Sequence, residues 1–188
     1  VAAGAGVDSP EEFELVREIS GRSEDETATG LENLLAAGLI IERADSRALS
    51  YDFSHEKIRE LVYEQLSLTR RRLLHRRAVE ALVTQARSHA TGSGELASQI
   101  ARHAQLAGQE ELAAEYHWQA GLYTRRLFAN SDAMQHFQHA LALGYPNPGD
   151  VHQAIGDLLT LQADYASAIT SYETAASFCA VGCLPEIE

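Results

Sequence analysis

Lysine is almost missing from this sequence: Lys57 is the single one, and the other fourteen basic side chains are arginine. Sulfur is as scarce, with Met134 the only methionine and Cys179 and Cys183 the only cysteines. Two cysteines cannot build a disulfide-dense scaffold, so a reducing, cytoplasmic setting is expected. Long apolar runs are missing too. Pieces such as Leu39-Ile40-Ile41 fall far short of the roughly 20 residues that a membrane-spanning helix needs, so no membrane segment is expected. The opening residues carry no basic head followed by an apolar stretch, and no secretory leader is expected there. Positive charge is also in deficit: 27 acidic side chains face 15 basic ones, for a formal charge of −12. Broad nucleic-acid binding uses clustered Lys and Arg to neutralise phosphates, and this balance argues against it. A start at Val1, with no initiating methionine, is expected of a segment of a longer protein.

What is present suits a folded chain of one or two domains: 188 residues, 45% hydrophobic and 22% charged. The charge falls into three blocks. Residues 1–68 carry 15 acids and 6 bases, and residues 95–188 carry 11 acids and 3 bases. Between them, 69–94 hold Arg70, Arg71, Arg72, Arg76, Arg77 and Arg87 against Glu80 alone. Two acidic modules joined by a basic helical connector (the first solenoid helix and a loop) are expected, with boundaries at those steps.

In the first module, 1–68, Ser9-Pro10-Glu11-Glu12 predicts a helix start, with Ser9 as cap, Pro10 in the first turn and Glu12 closing a capping box. Phe13, Val16 and Ile19 follow at helical spacing, and Gly21 ends the run. A second box, Ser23 to Glu26, opens a helix with the stripe Leu31, Leu34 and Leu35, stopped by Gly38. The period then changes. Leu39-Ile40-Ile41 predicts a strand, Ala44-Asp45-Ser46-Arg47 a turn, and Leu49, Tyr51 and Phe53 a second strand. Helical spacing returns from Ser54 with Ile58, Leu61, Val62 and Leu66. Helix, helix, hairpin, helix is the order of a winged-helix domain.

Winged helices often enter DNA with their second helix. Here that helix, 24–37, has Glu24, Asp25, Glu26, Thr27, Thr29, Glu32 and Asn33 as polar residues and no Lys or Arg. Four carboxylates repel phosphate and no base-reading arginine is offered, so packing and switching within a protein is the expected role.

The second module repeats itself. Gly121, Ala133, Phe137 and Ala140 recur as Gly156, Ala168, Tyr172 and Ala175, each displaced by 35 residues. A small residue where two helices approach, and Ala-x3-aromatic-x2-Ala on the second, is the packing pattern of tetratricopeptide repeats. A weaker upstream echo reads Gly108, Ala113, His117 and Ala120, with His117 in the aromatic position. The fold class expected is therefore mainly α: a winged helix with a small β-hairpin, then a tetratricopeptide-like solenoid over 95–188, truncated at its end. Such stacks do no chemistry themselves and present a surface to a protein or peptide.

Catalytic and metal patterns fail one by one. Val1–Gly6 lacks a preceding strand and the third glycine of a dinucleotide loop, and no Gly-x4-Gly-Lys-Ser/Thr occurs. His55-Glu56 has Arg59 where a zincin needs its second histidine. His136-x-x-His139 places two imidazoles on one helical face with no further ligands nearby in sequence, and Cys179-x3-Cys183 is no better completed, so no metal is assigned. No enzyme activity is expected. The arginines Arg70, Arg71, Arg72, Arg76 and Arg77 are the one feature suited to an anionic partner. Pairing with acids of the first module, as an interdomain lock, is the favoured reading over nucleic acid.

The stretch Tyr51-Asp52-Phe53-Ser54-His55-Glu56-Lys57-Ile58-Arg59-Glu60-Leu61-Val62-Tyr63-Glu64-Gln65-Leu66-Ser67, with Arg70-Arg71-Arg72-Leu73-Leu74-His75 after it, resembles a segment of bacterial regulators of the STAND class (signal-transduction ATPases with numerous domains). These include LuxR-type and SARP-type transcriptional activators and cyclase-linked ATPases. The resemblance runs from Phe13 to about Phe178. It implies an ATPase core before a winged helix and inducer-sensing repeats after it, with ATP or ADP bound by the full-length protein and no cofactor in this segment. His55-Glu56 with Arg59 is also similar to the Met-His-Asp motif of related switch ATPases, with Ser54 in place of Met and Glu56 in place of Asp. That likeness implies nucleotide sensing by His55 and Arg59. The whole reads as a non-catalytic regulatory or sensor segment that binds the parent chain's ATPase core, a protein or peptide, and a small-molecule inducer. The alternative is a DNA-binding winged-helix regulator with a dimerising repeat domain.

Overall fold

The computed structural model describes residues 9–45, 48–88 and 93–182, with side chains over 13–43, 50–87 and 94–178. In chain order the elements are α1 (Ser9–Ser20), α2 (Glu24–Ala36), β1 (Ile40–Asp45), β2 (Ala48–Phe53), α3 (Glu56–Gln65), α4 (Leu68–Ser88), α5 (Ser93–Ala107), α6 (Glu110–Arg126), α7 (Asn130–Ala142), α8 (Pro148–Leu161) and α9 (Tyr165–Gly182). The described residues are thus mainly helical with one two-stranded antiparallel sheet. No described helix is long and apolar enough to cross a membrane. Two compact units divide the chain, Val1–Gln85 and Ala86–Glu188. The division falls inside α4, so the arginines from Arg70 to Arg77 stay with the first unit.

Local chemistry accounts for the punctuation of the first unit. The N-terminal box on Ser9 and Glu12 lies outside the described side chains, but the second box is formed. Ser23 Oγ accepts the Glu26 N–H at 3.3 Å, and Glu26 Oε2 accepts the Ser23 N–H at 3.0 Å. That backbone bond, then the Ser23 hydroxyl, holds the Glu26 carboxyl below its ordinary value. At the other end of α2, Gly38 takes φ +67, its N–H bonds to Leu35 O at 2.9 Å, and the Leu39 N–H reaches Leu34 O at 3.0 Å. This pair of bonds satisfies two of the helix's free carbonyls, and glycine adopts the left-handed turn without a Cβ penalty.

The hairpin pairs Ile40 with Phe53 and continues through Ala44 with Leu49 and Asp45 with Ala48. Ala44 and Asp45, expected in the turn, therefore belong to the strand; Ser46 and Arg47, the rest of the expected turn, lie outside the described residues. Ile40 is buried while Ile41 faces solvent. The helix expected from Ser54 starts at Glu56, because Ser54 closes the hairpin instead: both its N–H and its Oγ bond to Leu39 O. α1 packs on β2 and α2, and α3 rests on β2. The helical stripe of α3 is only partly used, with Leu61 58% and Val62 48% exposed. Along α4, Ala78, Val79, Ala81 and Leu82 form a buried stripe.

In the second unit α5 packs on α6, α6 on α7 and α8 on α9, with a lighter contact of α7 on α8. Ala133, Phe137, Val151, Ala154 and Leu158 form a core cluster, with Trp118, Leu122, Met134, Leu141, Tyr145 and Ile155 packed against it. The turns after α6 and α8 are copies of each other. Phe128 (φ 62) and Ala163 (φ 61) both sit in the left-handed region, 35 residues apart. Phe128 is also 87% exposed, so its ring gains nothing for that strain. Phe128→Gly is expected to stabilise the unit by about 0.5–1 kcal/mol, the left-handed penalty less the entropy glycine adds to the unfolded chain. Urea unfolding checks this through a raised midpoint.

Candidate functional site

The residues singled out from sequence fall into four places. His55 occupies the position just before α3, extended at φ −144 and ψ 135, and its exposed side chain makes no capping bond. Arg59, one turn on, is half-buried and ion-paired with Glu56. The first turn of α3 thus presents His55 to solvent, while the nearby guanidinium is engaged with a carboxylate.

The five arginines separate by what they touch. Arg77 Nη1 donates to the carbonyls of Ile19 (3.3 Å) and Ser20 (3.1 Å), at the C-terminal end of α1. A cation there meets the negative end of the helix dipole as well as its unpaired carbonyls. Arg71 donates to Leu66 O at 3.0 Å and Glu64 O at 2.8 Å, and its guanidinium lies 4.5 Å from the centre of the Tyr63 ring. Arg76 reaches Glu80 on its own helix at 4.0 Å. Arg70 and Arg72 are exposed. The half-buried members of the cluster therefore hold backbone carbonyls inside the first unit, where acid pairing was the expectation.

The eight repeat residues come together in two matching sets. A Cβ added to Gly121 would lie 2.4 Å from Phe137 Cε1, and one added to Gly156 would lie 2.6 Å from Tyr172 Cε1. Glycine and aromatic are 16 residues apart in both cases, on the first and second helix of a hairpin. Ala133, Ala140, Ala168 and Ala175 are buried around them. The upstream echo is arranged differently. Gly108 ends α5 at φ +78 with nothing within 4 Å of its missing Cβ, whereas Gly94 lies under Tyr123, with a Cβ there only 2.3 Å from Cδ2. Gly94 escaped the sequence reading because its partner is 29 residues away, off the repeat spacing.

Three histidines of the second unit come together. His117 on α6, 5% exposed, brings Nδ1 to 2.9 Å from Nδ1 of His136 on α7. His136 Nε2 lies 3.1 Å from Ser98 Oγ on α5. The exposed His139 stacks on His117, ring centres 4.9 Å apart and planes at 22°. Burial, then the neighbouring His136 and His139, pushes His117 down to about 4, and burial first, then His139, lowers His136 against a smaller opposing effect of Asp132. Nitrogen lone pairs lie in the ring plane, so nearly parallel rings such as His117 and His139 cannot both aim at one ion. Among the described residues no group of three or more His, Cys, Asp or Glu could hold a metal. Sequence showed His136 and His139 as a pair; the approach of His117 is a tertiary event, signalled only by a histidine in an aromatic slot. Cys183 and the Cys179 side chain lie outside the described residues.

The acidic side chains of α2 remain at the surface. Along it runs an open groove of about 320 Å³ lined by Arg22, Asp25, Glu26, Thr29, Gly30 and Asn33, one cation against two carboxylates.

No family model matches the sequence, and no curated protein matches it. A solved structure titled "MamA AMB-1" is 18% identical to this chain over 69% of it and 86% of that chain, with a TM-score of 0.35.

Proposed function

We propose that the chain is a non-catalytic regulatory segment of a signal-transduction ATPase or transcriptional regulator of the STAND class, a winged helix followed by tetratricopeptide-like repeats. The observation that carries the repeat reading is the duplicated glycine–aromatic lock, Gly121 under Phe137 and Gly156 under Tyr172. A pair of helices that repeats its own contact after 35 residues is a stacking unit, and such units bind a protein or peptide across the faces they leave open. The first unit's order of helix, helix, hairpin and helix supports the winged helix, together with the resemblance of residues 51–75. The exposed Leu61 and Val62 on α3 support a role in packing on another body, here the ATPase core of the parent protein.

Switching then follows from two-state logic: a partner or inducer that engages the repeats in one arrangement shifts the packing of the winged helix on the core. ADP held in the core would meet His55, which is exposed at the start of α3, where backbone N–H groups also face an anion. In the full-length protein His55→Ala is expected to shorten ADP retention about ten-fold, the loss of roughly one charge-assisted hydrogen bond, and to raise basal activity. ADP retention at the wild-type level overturns the sensing role. The alternative, a DNA-binding winged helix, has the acidic surface of α2 against it; salt-dependent duplex binding by this chain would favour it.

A further inference from the structure

The His117–His136 contact poses a proton-counting problem. Two imidazoles have four ring nitrogens, and the neutral pair carries two protons. One must lie in the 2.9 Å approach of the two Nδ1 atoms, because two lone pairs facing at that distance repel. The second fits at His136 Nε2, which can donate to Ser98 Oγ 3.1 Å away. That leaves His117 Nε2 as a bare lone pair, and among the described residues this atom is buried with no hydrogen-bond partner. Every proton has an acceptor in this state.

A third proton has nowhere to go. Placed on His117 Nε2 it becomes a buried, charged N–H without an acceptor; placed anywhere else, it breaks the Nδ1–Nδ1 bridge. We propose that the His117–His136 pair is an acid-sensitive latch, which ties α5, α6 and α7 together while it holds two protons and lets them part when a third enters. The groups acting on the pair from the surrounding helices support that direction. From α7 come His139, stacked on His117 so that its own charge would add to the repulsion, and Asp132, which opposes it at His136. From α5 the contact is the neutral hydroxyl of Ser98. The latch also sits on the packing axis of the unit: His136 precedes Phe137, the residue wedged over Gly121.

Both imidazoles are held below the ordinary histidine value. Between about 6.5 and about 4 the unfolded chain therefore binds a proton that folded His117 refuses, and stability falls as the pH falls through that window. For His117 alone the unfolding constant is expected to rise roughly thirty-fold from pH 7.5 to 5.0. The variant His117→Phe places in the slot the kind of ring that Phe137 and Tyr172 place in theirs, so it keeps the packing and removes the titration. Urea unfolding of the wild-type chain and the variant at both pH values is the test, together with the NMR titration of the His117 ring in the wild type. A loss of that thirty-fold component in the variant, with wild-type His117 titrating well below pH 6, supports the latch. Equal pH dependence in both proteins overturns it. So does a wild-type His117 that titrates near 6.5, a readout that stands even if the variant does not fold.

Discussion

Gly121→Ala is expected to cost the second unit about 3 kcal/mol, seen as a lower urea midpoint at an unchanged dependence on denaturant. The added Cβ would lie 2.4, 2.6 and 3.1 Å from three carbons of the Phe137 ring, distances at which something must move. Phe137 cannot swing aside, because it is fully buried among Ala133, Val151, Ala154 and Leu158. The helices must separate instead, and the cost spreads into the core cluster. Gly156→Ala poses the same clash, 2.6 Å to Tyr172, with a different outcome. Tyr172 is 37% exposed and can turn outward, giving up the hydroxyl bond to Asp157 at 3.0 Å and the longer contact with Thr160 Oγ1 at 3.3 Å. About 1.5 kcal/mol is expected there, the low end for a hydrogen bond to a charged group because this one is solvent-exposed. The control is Gly121→Ala combined with Phe137→Leu: if the clash with the ring is the cause, the double variant is more stable than the sum of the single losses predicts. Additive losses would place the cost of Gly121→Ala elsewhere.

That pair also marks where sequence reading works and where it stops. Local features carry their signal in adjacent residues. Ser23 with Glu26, the stop at Gly38 and the 35-residue recurrence of glycine, alanine and aromatic were all legible, because each reflects a rule of one helix or one hairpin. The features that escaped depend on pairing and packing that no rule of a single helix or turn reveals. Ala44 and Asp45 read as turn residues on composition, yet the ladder that begins at Ile40 and Phe53 extends through them. The spacing of Leu61 and Val62 defines an apolar stripe without saying whether anything covers it, and in this unit they stay exposed. The histidines show the same limit. His136 and His139 are visible as a pair, but His117 joins them only when α6 lies along α7.

The arginine cluster was legible as charge and misleading as to target, and Arg77→Ala separates the two. Its loss is expected to destabilise the first unit by about 2 kcal/mol, since charge-assisted hydrogen bonds to two carbonyls disappear together. Backbone carbonyls carry no formal charge and leave no mark in a sequence, which is why acids seemed the natural partners. The geometry at the end of α1 leaves little freedom for a substitute. Gly21 sits at φ +69 directly against the guanidinium, 2.7 Å from Nη1 to where a Cβ would be, so the arginine passes over a residue that has no side chain to obstruct it. Lysine has the charge but a single ammonium in place of a planar fork, so Arg77→Lys should recover only part of the loss. Arg70→Ala and Arg72→Ala, which alter exposed positions, should stay within about 0.5 kcal/mol of wild type. Denaturant unfolding of the four variants checks the order. Losses at Arg70 or Arg72 as large as at Arg77 would mean that charge in the cluster, rather than this contact, sustains the unit. If the order holds, Arg70 and Arg72 are left as the members of the cluster that can meet an anionic partner without cost to the fold, and a binding assay on those two variants then reads recognition alone.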